Sequence, residues 1–320
     1  MLTSYVYDFE GKAPDSILVP HVALNIRSEA TKKTFNTVIL LDTGAFSDIT
    51  LNNKLKEVIA DKLGDSIGKL DLRYRVGPIS ATDVTNVSTK CETGVNKVVE
   101  GRLVSDQSLS IGFRHDGGTT LSLKICQKAG KCAVMGTNPV AKINDYFGDS
   151  TDEHPAVYSP DVEFQDGLGG FEHYLKCKGD GIDPHVPTYI VDPPYLGKLL
   201  PKNPYLPQAM TPCWDTGAAV TAIPKSFFTS QPNVFGKLTG DKTAKAWEMW
   251  VKTEGGTLLR FLNVPVDTDY DQFIVGATVL NIFQIGFDPS NKRIGLNFRE
   301  PNRWKRELLQ FKTETNLQSL

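Results

Sequence analysis

The stretch Val38-Ile39-Leu40-Leu41-Asp42-Thr43-Gly44-Ala45 decides how this sequence is read, because its last four residues return as Asp215-Thr216-Gly217-Ala218. The first copy follows a continuous apolar run, the pattern of a buried strand, and the second follows the shorter Cys213-Trp214. Apolar residues resume after each copy, from Phe46 to Leu51 and from Val220 to Ile223. An aspartate in a tight turn at a strand end needs donors, since a desolvated carboxylate without partners is costly. The turn's backbone N–H groups and the threonine hydroxyl can supply them, and glycine lets another backbone come close. A single Asp-Thr-Gly is an ordinary turn. Two copies in comparable surroundings, one per half of the chain, predict a two-lobed fold that faces its carboxylates together.

The 320 residues are enough for two domains with cores of their own. Charged residues make up 22% and the formal net charge is only -2, with Lys and Arg spread along the chain. Neither a nucleic acid nor a membrane surface is therefore expected as a partner, and no stretch reaches the apolar length of a membrane span. Met1 to Val6 is followed by Asp8 and Glu10 without a basic start or a long apolar run. The expectation is a cytoplasmic protein if Met1 is the native start, and a secreted one if a leader was removed. The five cysteines are odd in number and irregularly spaced, unlike a secreted disulfide framework. Cys126 and Cys132 flank Gln-Lys-Ala-Gly-Lys, a hairpin tip that could carry one bridge, although reduced thiols are the simpler expectation. The five histidines are scattered and no His/Cys cluster has zinc spacing, so no metal is expected.

Outward from the first motif, residues 15–27 and 35–41 read as strands. Leu51 to Leu63 has apolar residues at helical spacing. Leu70 to Tyr74 alternates again until Gly77-Pro78 breaks it, and Ser80 to Asn96 is a polar, Thr-rich stretch. Strands are expected at Val98 to Val104, Ser108 to Phe113 and Thr119 to Cys126. The proline-rich run from Ile182 to Pro212 argues for irregular surface backbone rather than a central strand. Ala246 to Lys252, Thr257 to Val264 and Phe273 to Val275 read as strands. Phe283 to Phe287 and Arg293 to Phe298 flank the turn Asp288-Pro289-Ser290-Asn291 as a hairpin. The tail from Pro301 to Leu320 is expected to be helical, from the spacing of Trp304, Leu308, Leu309 and Phe311.

With these motifs in place the chain resembles the pepsin-like aspartic proteases. In that family each lobe carries Asp-Thr/Ser-Gly and, later, two hydrophobic residues and a glycine that brace the catalytic turn. Here Ala133-Val134-Met135-Gly136 stands as the brace for Asp42, and Phe273-Ile274-Val275-Gly276 as the brace for Asp215. The resemblance implies a mostly β, bilobal fold of two related β-barrel or sandwich lobes around a central cleft. Residues 1–165 would form the N-terminal lobe with its flap, and residues 166–320 the C-terminal lobe with a helical tail. It further implies an aspartic endopeptidase, monomeric and without a cofactor, that takes a peptide or protein substrate in the cleft.

Asp42 and Asp215 would then be catalytic and share one proton, because two close carboxylates cannot both ionise cheaply. One would activate a water as general base, and the other would support the substrate carbonyl as general acid. Thr43 and Thr216 would exchange hydrogen bonds between the two loops, and Gly44 and Gly217 would leave room for an extended peptide. Tyr74 falls where the family keeps its flap tyrosine, although an ordinary edge-strand tyrosine would read the same. The sequence also departs from the family. Ala45 and Ala218 replace the usual hydroxyl residues, Arg75 stands in place of a flap glycine, and Ile49 in place of a tryptophan. Two other readings therefore stand beside the protease. One is an enzyme using the same dyad for acid–base chemistry on a small-molecule or biosynthetic substrate. The other is a binding or inhibitor-like protein on the same fold.

Overall fold

The computed structural model describes residues 2–9, 18–28, 31–45, 47–52, 61–64, 72–77, 97–99, 111–114, 120–124, 126, 132–135, 139–141, 156–158, 167–178, 184–191, 211–229, 243–299 and 305–311. The fold is mostly β. The chain divides into two compact units, Ser16–Gly167 and Met1–Asp15 together with Leu168–Leu320.

After strand β1 (Leu2–Asp8), the first of these units holds β2 (Leu18–Ser28), β3 (Thr34–Leu41), β4 (Ile49–Asn52), β5 (Leu72–Gly77) and β6 (Lys97–Val99). It continues with β7 (Ile111–Arg114), β8 (Thr120–Leu121), β9 (Ala133–Met135), β10 (Pro139–Ala141) and β11 (Ala156–Tyr158). One sheet runs in the order β10-β11-β2-β3-β8-β4-β7-β6, with β5 added to β2. The apolar run expected as a strand forms the second half of β3, which lies between β2 and β8 with Ile39 and Leu41 buried. Of the helix expected from Leu51 to Leu63, residues 51 and 52 belong to β4 and 61–63 are helical; the rest lie outside the described residues. The strand expected from Thr119 to Cys126 ends at Leu121, and the chain then turns, with helical residues at Lys124 and Cys126.

The second unit holds β12 (His173–Lys176), β13 (Thr188–Val191), β14 (Cys213–Trp214), β15 (Thr221–Ala222), helix α1 (Lys225–Thr229), β16 (Thr243–Lys252) and β17 (Leu258–Asp267). It ends with β18 (Ile274–Val275), helix α2 (Ala277–Leu280), β19 (Phe283–Asp288), β20 (Arg293–Phe298) and β21 (Lys305–Phe311). Its larger sheet runs β13-β16-β17-β15-β18-β14, so β13, the strand described within the proline-rich stretch, lies at an edge. The hairpin of β19 and β20 is antiparallel from Phe283 opposite Phe298 to Asp288 opposite Arg293. Its turn is held by the Asp288 carboxylate, which accepts from the Asn291 N–H at 3.3 Å and the Asn291 amide at 2.7 Å.

Two expectations need correcting. The N-terminal strand does not belong with residues 16–165: β1 lies parallel to β17, from Ser4 opposite Leu258 to Asp8 opposite Leu262. The cause is aromatic burial. Tyr7 is fully buried, stacks on Phe261 at 5.5 Å and meets Phe283 edge-on at 5.3 Å, and Phe9, just past β1, is buried against Phe261 at 6.5 Å. Nor is the described part of the tail, residues 305–311, helical. Lys305 to Phe311 pairs antiparallel with β1, from Leu2 opposite Phe311 to Asp8 opposite Lys305. A strand with an open edge supplies a full ladder of hydrogen bonds, and such tertiary pairing overrides a local helical spacing.

Candidate active site

Asp42 and Asp215 occupy the same local construction, once in each unit. In the first, β3 runs parallel to β8, with Leu40 opposite Thr120 and Leu41 opposite Leu121. The Asp42 N–H adds one more rung by donating to the Leu121 carbonyl at 2.9 Å. The chain then turns back on itself. Gly44 donates its N–H to Asp42 Oδ1 at 2.9 Å, and Ala45 donates to the Asp42 carbonyl at 3.3 Å.

In the second unit β14 runs parallel to β18, with Cys213 opposite Ile274 and Trp214 opposite Val275. The Asp215 N–H donates to the Val275 carbonyl at 2.9 Å, Gly217 donates to Asp215 Oδ1 at 2.8 Å, and Ala218 donates to the Asp215 carbonyl at 3.4 Å. Each turn is thus an aspartate whose carboxylate is fixed by the N–H two residues on, a local bond that aspartate makes readily. Both carboxylates are half-buried, whereas Thr43 and Thr216 are buried. In each turn the glycine N–H fixes the carboxylate's orientation.

The brace of Asp215 is where the sequence places it. Gly276, directly after β18, is so tightly enclosed that a Cβ there would lie 2.1 Å from the Val220 carbonyl oxygen and 2.8 Å from that of Ala218. The Ala277 N–H donates to the Ala218 carbonyl at 2.8 Å and Gly276 donates to Thr221 Oγ1 at 3.2 Å, which ties the second turn to α2. The brace of Asp42 is not Ala133-Val134-Met135-Gly136. It is Thr120-Leu121-Ser122: β8 pairs with β3 on one side and antiparallel with β4 on the other, and Ser122 donates its N–H to the Asp48 carbonyl at 3.0 Å. This stretch lacks the pattern of two hydrophobic residues and a glycine, because Ser122 stands in the glycine position. The signal that finds it is the parallel pairing itself, which has no local sequence mark.

Tyr74 lies on β5 opposite Ile26 of β2. Of the flap expected over residues 74 to about 98, residues 78–96 lie outside the described residues, as does Gly136. Ile49 is buried, and Ala45, also buried, brings no hydroxyl to the first carboxylate; neither does Ala218 to the second. Cys126 and Cys132 are both buried thiols, so the bridge considered between them is not formed. Among the described residues no group of three or more His, Cys, Asp or Glu is placed to hold a metal ion, and no helix is long and apolar enough to cross a membrane.

No family model matches this chain, and no curated protein matches its sequence. Among solved structures it is similar to the aspartic proteinase from Irpex lacteus, at 13% sequence identity and a TM-score of 0.43 over 88% of this chain and 97% of that one.

Proposed function

We propose that this chain is an aspartic endopeptidase in which Asp42 and Asp215 act as one catalytic pair. The observation that carries this reading is the repeat of a complete device. Asp42 and Asp215 each directly follow a strand, each donate one last N–H to a parallel neighbour, and each accept the N–H of the glycine two residues on. A turn kept only for structure needs no carboxylate held half-exposed twice over in the same pose. In this reading one carboxylate takes a proton from water as that water attacks the peptide carbonyl, and the other gives its proton to the carbonyl oxygen. Gly44 and Gly217, without side chains, leave room for an extended peptide beside the carboxylates. Thr43 and Thr216, both buried, would exchange hydrogen bonds between the two turns. Tyr74 would cover the substrate from β5.

The test is a direct one. The full chain is incubated with quenched fluorescent peptides of mixed sequence, with and without a pepstatin-type transition-state inhibitor. Cleavage that the inhibitor abolishes supports the proposal. Tight inhibitor binding without cleavage of any peptide points instead to acid–base chemistry on another substrate, and no binding at all refutes a working pair.

A further inference from the structure

Behind the Asp42 turn, β4 and β8 run antiparallel with Thr50 directly opposite Thr120. Side chains opposite one another in such a pair share a face, with Cβ atoms about 5 Å apart. The two-residue period brings Asp48 and Ser122 to the same face. All are buried: Asp48 is 4% exposed, Thr50 1%, Thr120 4% and Ser122 1%. The hydroxyls of Thr50, Thr120 and Ser122 have no hydrogen-bond partner among the described residues. On its other flank Thr50 lies opposite Gly112 of β7, a position without a side chain.

The second unit shows that the topology does not demand this polarity. At the same point of its ladder Ala222 lies opposite Ile274, one residue nearer its aspartate than Thr50 is to Asp42, with Val220 and Gly276 as the flanking residues. None of the four has a hydroxyl. There the brace closes by backbone on backbone, since a Cβ at Gly276 would meet the Val220 carbonyl at 2.1 Å. Ser122 carries a Cβ at the corresponding place, and its N–H is met by the Asp48 carbonyl at 3.0 Å. A buried hydroxyl left unbonded is unfavourable, and three of them converge on one face.

We propose that the first unit completes its brace with ordered internal water, hydrogen-bonded by Thr50 Oγ1, Thr120 Oγ1 and Ser122 Oγ, where the second unit uses direct packing at Gly276. Internal waters characteristically make about three hydrogen bonds to otherwise unsatisfied buried groups, and each hydroxyl offers one donor and two acceptor positions. Thr120 and Ser122 flank Leu121, whose carbonyl receives the Asp42 N–H. They are positioning residues: the water acts on Asp42 through the backbone that holds it. The proposal stands on the fold and does not depend on the protease reading.

The experiment is a high-resolution crystal structure of the full chain, paired with a count of long-lived internal waters by oxygen-17 relaxation dispersion. Water within about 3 Å of at least two of the three hydroxyls is expected. The count should fall by one or more in the combined variant Thr50→Val, Thr120→Val, Ser122→Ala. Where that variant does not fold, Thr120→Val alone serves, and the water's residence time should shorten at least about tenfold. The proposal is overturned by hydroxyls bonded directly to protein groups, by an unchanged water signal in the variants, or by an anomalous scatterer at the site after a rubidium soak, which would make it a cation site.

Discussion

The N–H of Asp215 donates to the carbonyl of Val275 at 2.9 Å, and the residue after Val275 is Gly276. Gly276 has φ -96° and ψ -169°, extended backbone that any residue can adopt. Only space excludes a side chain here. The obstacle at 2.1 Å is the Val220 carbonyl, backbone that cannot swing aside as a side chain end can. Overpacking of this kind costs typically 1–3 kcal/mol, and a backbone obstacle puts Gly276→Ala at about 3 kcal/mol or above. Calorimetric melting should show the loss, and turnover should fall with it as Asp215 shifts. A Gly276→Ala variant that melts like the parent would mean that the turn is not braced by close approach.

A second prediction concerns Glu248 and Arg260 on β16 and β17, which form a salt bridge with both side chains 0% exposed. The Arg260 guanidinium also lies over the Trp250 ring, 5.0 Å from its centroid. Taking away one partner leaves a buried charge, so Glu248→Met and Arg260→Leu should each cost about 3–5 kcal/mol in urea denaturation. The double variant should cost far less than the sum, because both desolvated charges go together. Additive losses would show that the two side chains do not depend on each other.

The buried thiols give a prediction with a defined pH window. Burial pushes the Cys126 thiol from the ordinary 9.0 up to about 12, with the neighbouring Cys132 adding to the shift. Cys177 is pushed to about 12 as well, by burial and then by the charge of Glu254. Reaction with a thiol reagent at pH 8 should therefore be negligible at both positions in the folded chain and complete in guanidinium. Above about pH 9 the unfolded chain loses these protons while the folded chain keeps them, so stability is intact below 9 and declines between 9 and 12. The slope is at most about 1.4 kcal/mol per pH unit for each thiol. Prompt labelling of Cys126 or Cys177 in the native state would refute the burial.

The sequence made the strand content and the doubled turn legible because both are written locally. Val38 to Leu41 is a strand by composition, and the Phe283–Phe298 hairpin is announced by its Asp-Pro-Ser-Asn turn. Asp-Thr-Gly carries its own hydrogen-bond geometry within three residues. What stayed hidden depends on partners remote in the chain. Nothing near Leu2 reveals that Tyr7 will be buried against Phe261, or that residues 305–311 will pair with β1 rather than coil. The brace of Asp42 is hidden for a related reason. Its glycine position holds Ser122, and the parallel pairing of β3 with β8 leaves no local mark.

Whether Asp42 and Asp215 act together is decided by the turnover of one cleavable peptide by Asp42→Asn and Asp215→Asn. Asparagine keeps the size of the side chain and an acceptor for the Gly44 and Gly217 N–H groups, so the turns should survive and melting should change little. What it removes is the ionisable carboxyl. Each substitution alone should lower kcat by at least about a thousandfold, within the range that positioned acid–base groups contribute. The double variant should be hardly worse than either single one, because partners in one proton transfer fail together. Either single variant turning the peptide over at close to the parent rate would contradict the account.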